Sequence, residues 1–209
     1  MNEPGWIVIL NGAPRSGKSS IVAAIQDSFE GPWMNLGVDV FARKVTPPRY
    51  QPGIGLRPGG ERPDLEKLLP GFFAAFYDSI AAHSRNGLNV VVDIGHHDDY
   101  SKPLHVLRAA AQRLAGLPVL FVGVRCPLAV IMQRRDDTGG DVESAPALVS
   151  GPGIPDPVLR WQDEVHIPGI YDLEVDTSEM TPEQCAAVIA HRLREGPSPT
   201  AFARLATSG

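Results

Sequence analysis

The sequence predicts a three-layer α/β fold, with a five-stranded, mostly parallel sheet flanked by helices. Short apolar runs that fit buried strands alternate with longer segments of helical periodicity, and this order is typical of one doubly wound sheet. The chain of 209 residues is 43% hydrophobic and 21% charged, so it is long enough to bury a sizeable core. We expect a single domain over residues 1–195 and a flexible tail over residues 196–209.

The loop after the first strand matches the phosphate-binding pattern G-x-x-x-x-G-K-[ST]. The apolar run Trp6–Asn11 predicts a buried strand, and Ile21–Ile25 continue a helix that begins within the loop. Its two glycines let backbone N–H groups turn inward around an anion, and the helix N-terminus adds its positive dipole. We expect Lys18 to reach the β- and γ-phosphates and the Ser19 hydroxyl to bind Mg²⁺. The residues predicted to bind the nucleotide here are Gly12, Ala13, Pro14, Arg15, Ser16, Gly17, Lys18, Ser19 and Ser20.

A second apolar segment, Trp33–Val38, is followed by an acidic residue, Asp39. This segment fits the second strand of the sheet, with Asp39 at the carboxyl edge, where open α/β sheets bind their ligands. Asp39 is therefore a candidate for chemistry. The alternative from the same residues is an aspartate that caps a helix beginning at Val40.

A loop follows that is rich in residues that break secondary structure. Residues 46–63 contain five prolines and four glycines, which exclude a helix or a central strand there. Because this segment comes soon after the second strand, we expect it to cover an acceptor substrate. Arg49 and Tyr50 are candidates for contact with that substrate, as are Arg57 and Arg62, and the alternative is that these side chains are only solvated.

The middle of the chain predicts a long helix and a central strand. Apolar residues recur with helical spacing from Asp64 to about Asn86, and their phenylalanine stripe is more typical of a core than of a ligand site. The β-branched run Leu88–Val92 predicts a buried strand that ends at Asp93. In that position Asp93 resembles the Walker B acid of nucleotide-binding proteins, which holds Mg²⁺.

A polar cluster, His96–Asp99, comes just after this strand. Two histidines and two aspartates suggest metal ligands, but adjacent histidines in an extended chain point to opposite sides, and no downstream residue has ligand spacing. We therefore favour roles in a substrate loop or a helix cap. His97 and Asp98 are the candidates for contact with the acceptor.

The second half of the chain predicts two more strands and a lid. Residues 117–124 and 172–176 fit the fourth and fifth strands. Arg134 and Arg135 come late on a helix that runs into a pair of glycines. This arrangement fits a mobile lid, over about residues 134–157, whose guanidinium groups close on a phosphoryl group. Alternatively, the two arginines only stabilise the carboxyl end of their helix.

Composition and charge exclude several classes of function. The net charge is -5 and no run of lysine or arginine exceeds two residues, so we expect neither a nucleic acid nor an anionic membrane as partner. No segment approaches the ~20 apolar residues of a membrane helix, and the start lacks the basic region of a signal peptide. Cys126 and Cys185 are expected to be small buried side chains. We expect a cytoplasmic protein with a neutral or cationic small-molecule substrate, and a homo-oligomer remains open.

Several stretches together resemble the chloramphenicol phosphotransferase family of P-loop kinases, over most of the chain. They are Ile9–Gly12 leading into the phosphate loop, Leu36–Asp39, and Val122–Cys126 followed later by Tyr171–Thr177. The resemblance implies an enzyme that moves the γ-phosphoryl group of ATP or GTP to a hydroxyl of an antibiotic and thereby confers resistance. Nucleoside antibiotics are as plausible an acceptor as chloramphenicol.

The same resemblance implies roles for single residues. It implies that Asp39 is the general base, that Asp93 is a partner of Mg²⁺ and that Thr177 contacts the nucleotide. It also implies that Lys18, Arg134 and Arg135 neutralise charge on the γ-phosphate. The chain departs from the family at Gly139–Asp141, where the family often has Arg-Gly-Asp, so one lid arginine is missing or supplied from elsewhere. Two alternatives use the same core: a metabolic nucleoside, nucleotide or sugar kinase, and a nucleotide-dependent regulatory switch.

Overall fold

Five parallel strands form one sheet in the order β2-β3-β1-β4-β5. The structure is a computed structural model, and it describes residues 3–50, 63–137 and 156–207. The fold class expected from the sequence is confirmed. The strands are β1 (Ile7–Asn11), β2 (Trp33–Asn35), β3 (Asn89–Ile94), β4 (Val119–Arg125) and β5 (Leu173–Asp176).

Helices cover both faces of this sheet. They are α1 (Lys18–Ser28), α2 (Val38–Val40), α3 (Pro63–Glu66), α4 (Leu69–Arg85), α5 (Val106–Arg113), α6 (Leu128–Asp137), α7 (Asp156–Glu164), α8 (Pro182–Glu195) and α9 (Ala201–Thr207). A π-helical turn, Phe41–Val45, continues α2, and a 3₁₀ turn, Pro48–Tyr50, follows it.

Alternate residues of β1 serve the two hydrophobic cores. Ile7 and Ile9 pack with α4, α5 and α9 on one face, whereas Val8 and Leu10 pack with α1 and α8 on the other. This alternation follows from the period of two in a strand, and it explains why the central strands read as continuous apolar runs. Both cysteines are free and buried, as expected. Within the described ranges, the helices are too short or too polar to cross a membrane.

The predicted long helix is interrupted. Its two parts, α3 and α4, are separated at Lys67 and Leu68. Pro70 lies in the first turn of α4, and because proline has no N–H it cannot bond back to the carbonyl of Glu66, so a continuous helix would lose a hydrogen bond there. The phenylalanine stripe is core, as expected, since Phe73 and Phe76 are buried.

The expectation of a flexible tail is wrong for half of its length. Residues Ala201–Thr207 form α9, in which Ala201, Phe202 and Leu205 are buried against the sheet and α5. The Asp172 carboxylate accepts hydrogen bonds from the backbone N–H groups of Thr200 at 2.7 Å and Ala201 at 3.0 Å, so it caps the start of this helix. Buried apolar area on one helical face and a filled cap together hold the segment in place.

Parts of both expected loops lie outside the described residues. Residues 51–62 of the substrate loop are among them, with Arg57 and Arg62, and so are residues 138–155 of the lid, with Gly139–Asp141. The structure therefore describes only the two ends of each loop.

Candidate active site

The crevice between β1 and β3 is the place where this topology binds ligands. The two strands are neighbours, yet α1 after β1 packs on one face of the sheet and α5 after β3 packs on the other. Because the two exits diverge, a crevice opens outside the carboxyl ends of these strands, and open α/β sheets bind ligands at such points. The glycine loop leaves β1 at this position.

The loop has the shape of an anion cradle. Gly17 adopts φ 90° at the start of α1, in the left-handed region that glycine adopts without strain. A Cβ on Gly12 would lie 2.5 Å from the carbonyl oxygen of Val124 and 2.8 Å from Ser16 Oγ, so only glycine fits there. Ser16 Oγ is buried and has no hydrogen-bond partner among the described residues. A buried donor of this kind and the first N–H groups of α1 fit a bound phosphate.

Lys18 lies inside this cradle. Its Nζ donates hydrogen bonds to the carbonyl oxygens of Gly12 at 2.8 Å and Ala13 at 2.7 Å. Burial lowers the pKa of Lys18 from 10.5 to about 8, and the nearby carboxylates of Asp93 and Asp39 partly oppose that change. The structure thus brings the lysine and both predicted acids into one electrostatic neighbourhood.

Ser19 and Asp93, the two residues predicted to bind magnesium, contact each other directly. Ser19 Oγ donates a hydrogen bond to Asp93 Oδ2 at 2.7 Å. Gly37 makes room for this carboxylate, because a Cβ there would lie 1.8 Å from Asp93 Oδ1. Groups of three or more His, Cys, Asp or Glu side chains that could hold a metal are absent from the described ranges. A hydroxyl and one carboxylate suit Mg²⁺, which binds proteins through few carboxylates and completes its shell with phosphates and water.

Asp39 does not end a strand. β2 stops at Asn35, whose side-chain oxygen accepts a hydrogen bond from the backbone N–H of Gly37 at 3.0 Å and turns the chain out of the sheet. Asp39 lies in the first turn of α2, where its charge favours the helix dipole, although Gly37 occupies the cap position. Its side chain is 69% exposed, and its Oδ1 lies 3.9 Å from Nε of Arg43.

An apolar hollow lies between the segment that follows Asp39 and α4. It encloses about 30 Å³, and its lining includes Val38, Phe41, Phe72 and Phe73. Phe41 packs edge-on against Phe76 with ring centroids 5.3 Å apart. The π-helical turn holds Phe41 there, since the backbone N–H of Thr46 donates to the Phe41 carbonyl at 3.1 Å.

Arg49 and Tyr50 lie near this hollow. The guanidinium carbon of Arg49 lies 4.8 Å from the centroid of the Tyr50 ring, and Tyr50 packs at 6.5 Å from Phe72. The structure therefore places this pair of predicted substrate residues on the side of α4 that carries the hollow.

A larger cavity of about 350 Å³ lies beyond the end of β3, and His96, His97 and Asp98 contribute to its lining. Asp98 acts as a cap just before α5, because its Oδ1 accepts hydrogen bonds from the backbone N–H groups of Leu104 at 2.7 Å and His105 at 2.9 Å. His96 bonds to the hydroxyl of Tyr77, and burial lowers the pKa of His96 to about 3, so this imidazole is neutral at physiological pH.

Arg134 and Thr177 brace the cradle from the other side. Arg134 Nη1 donates to the carbonyl oxygen of Arg15 at 3.1 Å and to Thr177 Oγ1 at 3.1 Å, and Nη2 donates to the Thr177 carbonyl at 2.8 Å. Thr177 Oγ1 donates in turn to the Ser16 carbonyl at 2.8 Å. These bonds hold α6 and the end of β5 against the loop. A direct contact of Arg134 or Arg135 with phosphate stays a prediction.

Two residues of the crevice were missed in the sequence. The Asn11 side chain donates to the Val165 carbonyl at 2.7 Å and to the Tyr171 hydroxyl at 2.8 Å, and its oxygen accepts the His96 N–H at 2.8 Å. A polar residue ending a fully buried strand was the available signal for Asn11. Trp161 of α7 lies over the same crevice, and the sequence carried no comparable signal for it.

The sheet order and the glycine cradle are those of the P-loop kinases, and the chain is a kinase or phosphotransferase whose acceptor is a hydroxyl group. Within that class, the chain belongs to the chloramphenicol phosphotransferase-like family, whose model matches residues 5–194. The resemblance stated from the sequence is thereby confirmed.

Comparison with known proteins agrees with this assignment. A Mycobacterium tuberculosis protein, provisionally named an O-phosphotransferase, is 27% identical over 215 residues, which cover 96% of this chain and 88% of that protein. The structure of a tunicamycin resistance protein from Deinococcus radiodurans has a TM-score of 0.59 at 16% identity and covers 91% of this chain and 96% of its own. The Mycobacterium tuberculosis APS kinase, solved with AMPPNP and APS, has a TM-score of 0.60 at 15% identity, with 93% and 100% covered.

Proposed function

We propose that this protein transfers the γ-phosphoryl group of ATP or GTP to a hydroxyl group of an antibiotic and thereby inactivates it. The acceptor is a chloramphenicol-like or a nucleoside antibiotic. The observation that carries the proposal is the convergence of Lys18, the Ser19–Asp93 contact and the Asp39 carboxylate at one end of the sheet. The family supports the reaction type, and the resistance protein among the structural neighbours supports the role.

The cradle would hold the nucleotide through its backbone N–H groups and Lys18, which carries the positive charge that faces the phosphates. Ser19 and Asp93 would hold Mg²⁺, which when bound neutralises phosphate charge and orients the oxygens of the transferred group. Ser16 Oγ, buried and unpartnered among the described residues, would donate to a phosphate oxygen. Thr177 and Arg134 would keep the loop in its binding shape.

Asp39 would accept the proton of the acceptor hydroxyl. Its position in the first turn of α2 leaves the carboxylate largely exposed, and its charge also acts on Lys18. A carboxylate is a suitable base for a hydroxyl whose proton leaves as the bond to phosphorus forms. The lid and the substrate loop would exclude water, which otherwise competes as acceptor.

The apolar hollow supports an acceptor with a ring or an apolar group beside its reactive hydroxyl. Phe41, Phe72 and Phe73 offer ring faces and edges beside the segment that follows Asp39, and such surfaces favour an aromatic compound over a bare sugar. Arg49, Tyr50, His97 and Asp98 remain the further proposed contacts.

A mass measurement tests the proposal. The purified chain is incubated with Mg²⁺, ATP or GTP, and a panel of hydroxyl-bearing antibiotics, nucleosides and sugars, and a phosphate-sized mass gain on an antibiotic is expected. A gain only on nucleosides or sugars would instead identify a metabolic kinase. Nucleotide hydrolysis that no acceptor changes would contradict the transfer reaction.

The role of Asp39 is tested in the same assay. We expect Asp39→Asn to lower kcat by roughly 10²–10⁴, the usual contribution of a general base, with nucleotide affinity retained. Asp78→Asn is the matched control, because Asp78 lies on α4 in an exposed ion pair with Arg113 at 3.0 Å. Turnover by Asp39→Asn equal to that of the control would exclude Asp39 as the base.

A further inference from the structure

The side chain of Asn11 ties together separate segments at the carboxyl edge of the sheet. Its amide nitrogen donates hydrogen bonds to the Val165 carbonyl at 2.7 Å and to the Tyr171 hydroxyl at 2.8 Å, and its oxygen accepts the backbone N–H of His96 at 2.8 Å. Asn11 is 1% exposed. Because its nitrogen and its oxygen are both bonded, this buried amide is held in one orientation.

The bond to His96 lies just beyond the pairing of β1 with β3. The two strands pair as far as Asn11 beside Ile94, and Gly12 donates its backbone N–H to the Ile94 carbonyl at 3.1 Å. After this point β1 leads into the phosphate loop, whereas β3 leads to Gly95 and His96. The Asn11 side chain therefore holds the chain that leaves β3 at the place where the two backbones separate.

The other two bonds hold the connection between α7 and β5. Val165 is buried in this connection, and the Tyr171 hydroxyl also hydrogen-bonds Nδ1 of His166 at 2.8 Å. Burial lowers the pKa of His166 to about 4, and the charge of Lys18 is among the smaller causes of this change. The connection therefore lies within the electrostatic reach of the cradle.

These contacts join the two sides of the proposed reaction. The phosphate loop begins at Gly12, directly after Asn11, and the proposed acceptor contacts His97 and Asp98 directly follow the backbone N–H that Asn11 accepts. Phosphoryl transfer requires the acceptor oxygen to lie in line with the bond that breaks. The buried residues of β1 on the same face are apolar, and an apolar side chain at this position could make none of these bonds.

We propose that Asn11 is a positioning residue of the transfer reaction, which aligns the acceptor side with the phosphate loop through its bonds to His96, Val165 and Tyr171. This inference rests on the proposed function, because the alignment matters only where an acceptor is bound. Asn11 acts through these neighbours and not on the substrate itself. A misplacement of about 1 Å costs about 10²-fold in rate, so loss of these bonds affects turnover more than nucleotide binding.

Asn11→Ala tests the inference, with Asn89→Ala as the matched control. Alanine leaves a polar gap in which water can bond the former partners of the amide, so we expect the variant to fold. Asn89 carries the same side chain at the opposite edge of the sheet, where its Oδ1 accepts the backbone N–H of Trp6 at 2.9 Å. It therefore joins the same two strands away from the site.

The acceptor in this assay is the compound of the panel that gains mass, with chloramphenicol tried first. We expect Asn11→Ala to lower kcat about tenfold to hundredfold and Asn89→Ala to leave kcat unchanged. The affinity for AMPPNP with Mg²⁺, measured by calorimetry, should be the same in both variants. Asn11→Ala should also hydrolyse more nucleotide per molecule of product, because water competes with a misaligned acceptor.

Tyr171→Phe is a second variant, which keeps the aromatic ring and decides the question if Asn11→Ala does not fold. It removes one partner of the amide, so we expect kcat to fall about threefold to tenfold, the usual effect of one neutral hydrogen bond. Both changes break the same bond. The double variant should therefore have the kcat of Asn11→Ala alone.

The outcomes separate the two proposals. Equal kcat in Asn11→Ala and Asn89→Ala, an unchanged kcat in Tyr171→Phe, or a loss of AMPPNP affinity as large as the loss of kcat overturns the positioning role while transfer by the unaltered chain is intact. Absence of nucleotide binding, or of a mass gain on every compound, is seen with the unaltered chain and overturns the proposed function together with this inference.

Discussion

Lys18 should make nucleotide binding depend on pH in an unusual range. Burial lowers its pKa to about 8, so the side chain is charged below that pH and becomes neutral as the pH rises through it. Only the charged form offers the positive charge that the phosphates need. Nucleotide affinity is therefore expected to fall above pH 8, well below the ordinary lysine range.

The size of the effect follows from the protonated fraction. With a pKa of about 8, that fraction falls about tenfold between pH 7 and pH 9, and the dissociation constant should rise about tenfold with it, or about 1.4 kcal/mol. A lysine with the ordinary value of 10.5 would remain almost fully charged at pH 9, so its affinity would be nearly constant. The two cases are easily distinguished.

Isothermal titration calorimetry with Mg²⁺ and AMPPNP measures this dependence. Binding at pH 9 should take up close to one proton per site, which titrations in buffers of different ionisation enthalpy reveal. Lys18→Arg is the control, because arginine stays charged and every other titrating group is retained. Constant affinity from pH 7 to pH 9 in the unaltered chain, or an equal decline in Lys18→Arg, would refute the reasoning.

Two further predictions concern the magnesium pair and the tail. Gly37→Ala places a Cβ 1.8 Å from Asp93 Oδ1 and must displace that carboxylate. The gain in nucleotide affinity on adding Mg²⁺ should therefore shrink at least about tenfold in calorimetric titrations. Gly71→Ala is the control, because no neighbouring atom lies within 4 Å of its Cβ, and it should leave the gain in affinity unchanged. Phe202→Ala removes a buried ring of α9 and should lower the free energy of unfolding in urea by about 3–5 kcal/mol. Ser198→Ala is the control, because Ser198 is exposed, and it should leave that free energy unchanged. Equal free energies of unfolding in the two variants would mean that α9 does not pack against the sheet.

Some of the structure that was predicted incorrectly had a local signal in the sequence. The interruption between α3 and α4 follows from Pro70, whose missing N–H is a property of the residue itself. The helix of the tail follows from the spacing of Ala201, Phe202 and Leu205, which puts them on one face. In both places a stronger pattern nearby, the phenylalanine stripe or the Pro-rich stretch at the start of the tail, outweighed the weaker one.

Other features had no local signal. The early end of β2 depends on the Asn35 side chain bonding the Gly37 N–H, in competition with the next pairing of the sheet. It moves Asp39 from a strand end into a helix. The segment Trp33–Val38 is mainly apolar, so its sequence is compatible both with a strand that continues to Val38 and with a strand that turns at Asn35.

The sequence by itself determined the sheet, the cradle and the nature of its ligand. Each of these follows from short-range patterns: apolar runs of strand length, two glycines at a fixed spacing, and a lysine and a serine at the start of a helix. The acids Asp39 and Asp93 could be named as candidates because both follow apolar segments and thus belong near the carboxyl edge of the sheet.

Only the tertiary structure decided which of these groups meet and what surrounds them. Asn11 contacts Val165 across 154 residues of sequence, and Trp161 lies over Gly95 between two strand ends. The lowered pKa of Lys18 comes from burial within the whole site. Such features depend on how separate elements pack in three dimensions, and the physical reason is that a side chain's neighbours and its access to water are set by the entire fold.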